Sequence, residues 1–260
     1  MPPAVDSPHR LLEQAAAAPG DAAAARRVLP LLDLTSLNDD DTEAGIARLC
    51  ARAVAHGVAA VCLYPRFLPL ARERLAGSAV RLATVANFPH GGDDLARTAD
   101  EVAAAVAEGA QEVDVVIPVQ AVLAGDVGLV AETVELCRAA GAEATTLKVI
   151  LETGVLKEPD VITAAARAAI MAGADFLKTS TGKAGVGATL EAAAILLAVI
   201  DEAEGRVGLK LAGGVRTAAQ AAGYLHLVDR FIGPAWVSPA TVRFGASSLL
   251  DDLLAASARG

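Results

Sequence analysis

The feature that most constrains the fold of this chain is an alternation of short apolar runs with segments of helical periodicity. Several of the runs are apolar on both faces, as strands are when helices cover one side and a barrel interior fills the other. Eight runs favour β-strands: Leu31–Leu34, Ala59–Tyr64, Arg81–Asn87, Glu112–Ile117, Thr146–Glu152, Phe176–Ser180, Val207–Ala212 and Arg230–Gly233. Eight strands alternating with helices in about 250 residues are typical of a closed parallel barrel.

The segments between the runs repeat their apolar residues at helical spacing. Three of them stop at a glycine, which commonly ends a helix: Gly57, Gly141 and Gly173. We therefore predict an α/β protein, a single (β/α)8 TIM barrel with an extra N-terminal helix. Residues 1–260 are expected to form one domain, in which residues 1–27 are a helical extension and Ala15–Ala25 a surface helix.

An open, doubly wound parallel sheet is the competing fold. It would carry a glycine-rich phosphate-binding motif after an early strand. Gly185-Val-Gly187 does not continue as G-x-G-x-x-G, and Gly182-Lys183 lacks the Ser or Thr and the upstream Gly of a P-loop. The barrel is the better prediction.

Composition and charge narrow the class of protein. The net charge of −9 argues against nucleic acid as a partner. The apolar run near Ala192–Ile200 is too short to cross a membrane, so we predict no membrane association. No basic segment followed by an apolar stretch opens the chain, and the three cysteines are widely spaced, so we expect a cytoplasmic protein.

The lysines are few and unusually placed. Only five of the 22 basic residues are lysines, yet Lys148, Lys178 and Lys210 fall inside predicted core strands. A buried lysine can lose its proton, whereas arginine keeps its charge, and a neutral amine is a nucleophile toward carbonyl groups. These lysines belong to three consecutive strands, so we expect them to converge inside the barrel. Asp114, between two valines of the preceding strand, is their expected counter-ion.

A structural interpretation of these residues stays open. A lysine in a predicted strand often lies at the solvated end, and a buried Asp–Lys pair can be purely structural. A closed barrel, however, has no edge strand to hold three lysines and an aspartate from four consecutive strands. The pattern therefore favours a catalytic site.

Small residues follow the last predicted strands. Three turns are rich in Gly and Ser: Ser180–Lys183, Gly213–Arg216 and Gly245–Ser248. The third leads directly into an apolar helix, whose N-terminus favours anions. In such barrels a phosphate group commonly binds after the last strands, so we predict a phosphate site there. The histidines show no metal-ligand spacing, so we predict no metal ion and no cofactor.

The chain resembles the deoxyribose-phosphate aldolase family from about Leu31 to Leu254. The matching motifs are Asp33–Asn38, Cys62–Arg66, Val85–Gly91, Glu112–Val116, Leu147–Ile150, Ala174–Lys183, Lys210–Arg216 and Arg243–Ser248. The resemblance implies a class I, metal-independent aldolase on an α/β barrel. Such enzymes reversibly cleave 2-deoxy-D-ribose 5-phosphate to D-glyceraldehyde 3-phosphate and acetaldehyde, in deoxyribonucleoside catabolism.

The resemblance also implies roles for individual residues. Lys178 is the expected Schiff-base lysine, Asp114 and Lys210 the proton donor and acceptor pair, and Lys148 a member of the supporting polar network. The expected phosphate-binding residues are Gly182, Lys183, Gly213, Gly214, Ser247 and Ser248. The implied partners are sugar phosphate and aldehyde substrates and further copies of the chain, in a dimer or tetramer.

Two other functions compete with this one. One is a Schiff-base barrel aldolase that acts on a different sugar phosphate, and assays with a panel of substrates would distinguish it. A sugar-phosphate sensor without catalysis would bind phosphate but form no covalent adduct. The presence of Lys178, Asp114 and Lys210 together argues against the sensor.

Overall fold

The strands of the computed structural model, which describes residues 8–259, form a closed barrel. They are β1 (Leu32–Ser36), β2 (Ala60–Leu63), β3 (Arg81–Ala86), β4 (Glu112–Val116), β5 (Thr146–Ile150), β6 (Phe176–Lys178), β7 (Gly208–Ala212) and β8 (Val242–Ala246). Each strand pairs in parallel with the next, and β8 pairs with β1. The predicted (β/α)8 barrel is confirmed.

The helices pack around the barrel and cover its outer face. They are α1 (Pro8–Ala16), α2 (Ala22–Val28), α3 (Glu43–His56), α4 (Leu68–Leu75), α5 (Leu95–Ala107), α6 (Val119–Leu123), α7 (Gly128–Ala140), α8 (Thr153–Leu156), α9 (Pro159–Met171), α10 (Leu190–Glu202), α11 (Ala218–Phe231) and α12 (Leu249–Ser257). Their buried faces join the outward-facing strand residues in one apolar core. Within residues 8–259, no helix is long and apolar enough to span a membrane.

The eighth strand was predicted in the wrong place. Arg230–Gly233 is not a strand, because α11 continues to Phe231 and Gly233 follows the end of that helix. A run this short cannot be told from a helix end by periodicity. The true strand, Val242–Ala246, contains Arg243, whose charge hides the strand in the sequence. Gly245, predicted in a turn, lies within that strand.

The other seven predicted strands agree with the structure to within two residues at either end. Their positions follow from the buried apolar runs. The predicted helix stops also reflect local physical chemistry: Gly57 ends α3 at φ 61°, a left-handed conformation that glycine adopts without a steric penalty.

The N-terminal region differs from the prediction, because two helices replace one. Ala15–Ala25 is interrupted by Pro19 and Gly20, and the Asp21 side chain accepts a hydrogen bond from Ala24 N to begin α2. A Cβ atom on Gly20 would lie 2.3 Å from the Ala219 backbone nitrogen, so the break brings the chain against α11. Residues 1–7 of the predicted extension lie outside the described residues.

One aromatic ring packs inside the barrel below the lysines. Phe176 pairs in register with Gly208, and a Cβ atom on Gly208 would lie 2.4 to 2.8 Å from the nearest carbons of that ring. The guanidinium carbon of Arg243 lies 5.8 Å from the centroid of the Phe176 ring. Because Gly208 has no side chain, the ring of Phe176 fills the space beside it, beneath the charged residues.

We predict that Gly208→Ala destabilises the protein by about 1–3 kcal/mol, because the added methyl group overpacks a filled interior. The free energy of unfolding in urea measures this effect. Gly185→Ala is the matched control: nothing lies within 4 Å of its added Cβ atom, and we expect a change within about 0.5 kcal/mol. Equal stability of the two variants would contradict the packing argument.

Candidate active site

Charged side chains from six strands meet inside the barrel, shielded from solvent. They are Asp33 of β1, Glu112 and Asp114 of β4, Lys148 of β5, Lys178 of β6, Lys210 of β7 and Arg243 of β8. Strand register places Asp114 beside Lys148 and Lys178 beside Lys210. The predicted convergence of the three lysines is therefore observed.

One carboxylate lies at the centre of this group. Asp114 Oδ1 accepts a hydrogen bond of 2.9 Å from Lys148 Nζ. Asp114 Oδ2 accepts one of 2.9 Å from Lys178 and one of 2.7 Å from Lys210. Burial would favour a neutral acid, but the three ammonium groups outweigh it and hold the pKa of Asp114 well below its usual value. Asp114 is therefore ionised.

A second group of ion pairs lies on the side of the amino-terminal strand ends. Arg243 contacts Asp33 Oδ1 at 2.6 Å and Glu112 Oε1 at 2.9 Å. Lys148 reaches Glu112 Oε2 at 2.6 Å, and Lys210 reaches Asp33 Oδ2 at 2.5 Å. These contacts join the two groups into one network from the base of the barrel to Lys178.

Sequence reasoning gave no role to Asp33, Glu112 or Arg243. Each stands in a matching motif, and each is a charged residue within an apolar strand, which is the signal that identified Asp114. Glu112 also precedes Asp114 by two residues, so both side chains lie on the same face of β4. Applied to every predicted strand, that argument would have found Asp33 and Glu112, whereas Arg243 lies in the strand that was predicted elsewhere.

The charges of this network are unequal. Four buried cations (Lys148, Lys178, Lys210 and Arg243) face three buried carboxylates, while Arg81 adds a half-exposed contact to Glu112. Lys148 and Lys210 each lie within 3 Å of two carboxylates, whereas Asp114 is the one carboxylate among the described residues that pairs with Lys178. Lys178 is thus the least compensated of the three buried lysines.

The pKa shifts follow from these contacts. Burial, and then the neighbouring Lys210 ammonium, lower the pKa of Lys178 despite the opposing attraction of Asp114. Burial also disfavours the charged forms of Lys148 and Lys210. For Lys148 the carboxylates of Asp114 and Glu112 outweigh it, and for Lys210 those of Asp114 and Asp33, so both pKa values are raised. Of these three lysines, Lys178 loses its proton most readily.

A cavity of about 210 Å3 opens beside Lys178 at the carboxyl ends of the last strands. All the predicted phosphate-binding residues line it: Gly182, Lys183, Gly213, Gly214, Ser247 and Ser248. Arg216, Thr35 and Asn38, which received no predicted role, line it as well. We call this the upper cavity.

Three glycines of the upper cavity have left-handed backbone conformations, and a helix begins beside them. Gly213 and Gly214 have φ values of 90° and 86°, and Gly182 has 77°, a region that other residues rarely adopt. Ser248 precedes α12 without forming a side-chain cap, so the first N–H groups of that helix have no bond from its hydroxyl. An anion here would meet a helix N-terminus together with the side chains of Lys183 and Arg216.

Comparison with known proteins identifies the family. A model described as DeoC/LacD family aldolase matches residues 27–254. The chain belongs to this aldolase family. It is therefore a lyase, and the family resemblance predicted from the sequence is confirmed.

Solved structures of similar fold agree. A candidate deoxyribose-phosphate aldolase from Coccidioides immitis is 28% identical with a TM-score of 0.80, over 95% of each chain. A candidate from Toxoplasma gondii ME49 is 24% identical, with a TM-score of 0.84 over 92% of this chain and 95% of that one. The tetrameric deoxyribose phosphate aldolase from Aeropyrum pernix is 24% identical, with a TM-score of 0.76 over 96% and 98%. At 24% identity, the similarities to the last two structures show a shared fold.

We predict that Lys210→Met shifts the reactivity of Lys178 to higher pH. The substitution removes a neighbouring cation and leaves Asp114 Oδ2 to Lys178, which raises the pKa of Lys178 and reduces its neutral fraction at pH 7. Competitive acetylation followed by peptide mass spectrometry measures the reactivity of Lys178 against pH. Lys157→Met, at an exposed site, is the control. An unchanged or lower midpoint would contradict the assignment.

Proposed function

We propose that this aldolase is a deoxyribose-phosphate aldolase. It would reversibly cleave 2-deoxy-D-ribose 5-phosphate to D-glyceraldehyde 3-phosphate and acetaldehyde through a Schiff base on Lys178. The observation that carries the proposal is one shared cavity: Lys178 lines the same space as the glycine turns, Lys183 and Arg216, which suit an anion. An open-chain sugar with an aldehyde at one end and a phosphate at the other fits these two features.

Binding comes first in this scheme. The phosphate docks against the three turns that carry Gly182, Gly213 and Ser248, near Lys183 and Arg216. Its binding energy fixes the distant aldehyde carbon, C1, beside Lys178 Nζ.

The amine then attacks. Neutral Lys178 adds to C1, and proton transfer to the former aldehyde oxygen gives a carbinolamine. Loss of that hydroxyl as water, with a proton supplied by the Asp114–Lys210 pair, gives the iminium ion. Asp114 is suited to this exchange because one of its oxygens contacts both Lys178 and Lys210.

Carbon–carbon cleavage follows. The hydroxyl proton of C3 passes to the Asp114–Lys210 pair through a bound water, and the C2–C3 bond breaks. Its electrons form the enamine, while C3 becomes the aldehyde of D-glyceraldehyde 3-phosphate. Protonation of the enamine at C2 and hydrolysis of the iminium ion release acetaldehyde and regenerate neutral Lys178. Lys148, bound to Asp114 and Glu112, keeps Asp114 ionised and oriented.

The biological setting belongs to the same proposal. The reaction would serve deoxyribonucleoside catabolism in the cytoplasm, and the chain would act as a homo-oligomer, a dimer or a tetramer. The tetrameric enzyme from Aeropyrum pernix, which has the same fold, supports the oligomer. Light scattering after size-exclusion chromatography measures its size.

We predict that borohydride reduction in the presence of acetaldehyde leaves a two-carbon adduct on the peptide that carries Lys178. At pH 7–8 the lowered pKa of Lys178 gives it a larger neutral fraction than surface lysines have. Intact and peptide mass spectrometry reads the result. Lys178→Leu should abolish both the adduct and cleavage of 2-deoxy-D-ribose 5-phosphate.

The alternatives give different outcomes. An adduct on Lys178 without cleavage of 2-deoxy-D-ribose 5-phosphate would indicate an aldolase for another sugar phosphate. Labelling spread over surface amines, or near-full activity of Lys178→Leu, would refute the Schiff-base scheme.

A further inference from the structure

Residues 181–189, most of the connection from β6 to α10, form a loop at one wall of the upper cavity. It carries Gly182 and Lys183, and most of its residues are at least partly exposed. A loop of this kind needs contacts with neighbouring elements to hold a cradle in a fixed shape. Those contacts begin at a buried glutamate that the catalytic scheme does not use.

Glu152 follows β5 and has an unusual conformation. Its backbone lies in the left-handed region, with φ 53° and ψ 53°, which favours glycine over residues with a side chain. The residue is only 4% exposed. A buried acid in a conformation that suits glycine indicates that the side chain itself is needed at this position.

The Glu152 carboxylate holds the first residue of the loop. It accepts the Thr181 backbone N–H at 3.2 to 3.3 Å and the Thr181 hydroxyl at 2.5 Å. The same hydroxyl oxygen accepts the Lys183 backbone N–H at 3.0 Å. A carboxylate only accepts hydrogen bonds, so the direction of this chain is fixed. Glu152 is thereby linked through Thr181 to the backbone beside Gly182.

Two close approaches secure the far half of the loop. A Cβ atom on Gly154 would lie 2.2 Å from the Val186 carbonyl oxygen, and one on Gly187 would lie 2.2 Å from the Gly213 carbonyl oxygen. Ala188 N also donates to Gly213 O at 2.9 Å. The loop is thus held between α8 and the Gly213–Gly214 turn, so two walls of the upper cavity keep a fixed separation.

We infer that Glu152 is a positioning residue that sets the preference of the enzyme for a phosphorylated substrate. By holding Thr181, which in turn binds the Lys183 backbone N–H, it fixes the backbone at Gly182 and Lys183 beside the space that an anion would occupy. It does not touch the reacting carbons. This inference rests on the proposed function, because it assumes that the upper cavity binds the phosphate end of the sugar.

The test compares two substrates, 2-deoxy-D-ribose 5-phosphate and unphosphorylated 2-deoxy-D-ribose. Glu152→Gln nearly keeps the shape of the side chain. It replaces one acceptor oxygen with an NH2 group, which cannot accept a hydrogen bond from the Thr181 N–H or from its hydroxyl. We expect the ratio of kcat/KM values, phosphorylated over unphosphorylated, to fall about tenfold, mostly through KM for the phosphorylated sugar. Inorganic phosphate should inhibit the variant about tenfold more weakly. Glu158→Gln makes the same charge change on an exposed neighbour and should leave the ratio unaltered.

Thr181 supplies an independent variant should Glu152→Gln fail to fold. Thr181→Val removes the hydroxyl and should lower the ratio similarly, while Thr181→Ser should recover most of the loss. The double variant Glu152→Gln with Thr181→Val should lose little more than either single variant, because both remove one interaction.

An unchanged ratio in both variants, or an equal fall with both sugars, would overturn the inference and assign Glu152 a general structural role. Failure of the proposed function has a different signature: the unsubstituted protein would form no acetaldehyde adduct on Lys178, or would form the adduct but not cleave 2-deoxy-D-ribose 5-phosphate. Both are measured on the unsubstituted protein, so they separate the two failures.

Discussion

The site depends on one carboxylate that three lysines share. Without Asp114, the ammonium groups of Lys148, Lys178 and Lys210 would face one another, Lys178 would lose its carboxylate contact, and the other two would each lose one of the two carboxylates within 3 Å. Uncompensated charges in a buried interior are costly, so the fold tolerates these lysines because Asp114 is there. A shift of one residue in β4, β5, β6 or β7 would turn a member of this group out of the barrel. The ion pairs therefore specify strand register as well as chemistry.

Arg243, which lies below this group, makes the share of negative charge left to each lysine unequal. Arg243 cannot release a proton, and its contacts with Asp33 and Glu112 occupy part of the available negative charge. Lys148 and Lys210 take the remaining places beside those carboxylates. Lys178 has one carboxylate contact, and it shares that carboxylate, Asp114, with Lys148 and Lys210. Lys178 is therefore the member of the three that gives up its proton first. The proposed nucleophile is therefore distinguished by its position in the charge network and not by the strand that carries it.

The sequence predicted most of this arrangement, for reasons that can be traced to individual residues. Lysines are rare in the chain, so Lys148, Lys178 and Lys210 in apolar runs stood out, and Asp114 between valines supplied their counter-ion. The eighth strand was misplaced because Arg243 interrupts its apolar pattern, and a charged residue looks exposed until its buried partners are known. Those partners, Asp33 and Glu112, lie 210 and 131 residues away along the chain.

Glu152 shows a different limit of sequence reasoning. Its position after a strand is ordinary, its left-handed backbone cannot be read from an acidic residue, and its partner Thr181 lies 29 residues further on. Contacts of this kind between loops leave no periodic signal. Candidate functional residues in strands can be recognised from the sequence pattern. Those in loops can be recognised only when the fold shows which elements lie together.

The proposed chemistry and the proposed anion recognition thus belong to different parts of the fold. The charged network lies on paired strands, where register leaves little freedom, and the cradle lies on loops beyond their ends. The two meet at Thr179, whose backbone N–H donates to Lys210 O and whose carbonyl accepts from Thr153 N beside Glu152. Strand pairing fixes the Lys210 side of this junction, so a change in the loop contacts can alter the cradle while the lysines keep their geometry. Substrate preference in such a barrel can therefore vary through residues such as Glu152 without disturbing the nucleophile.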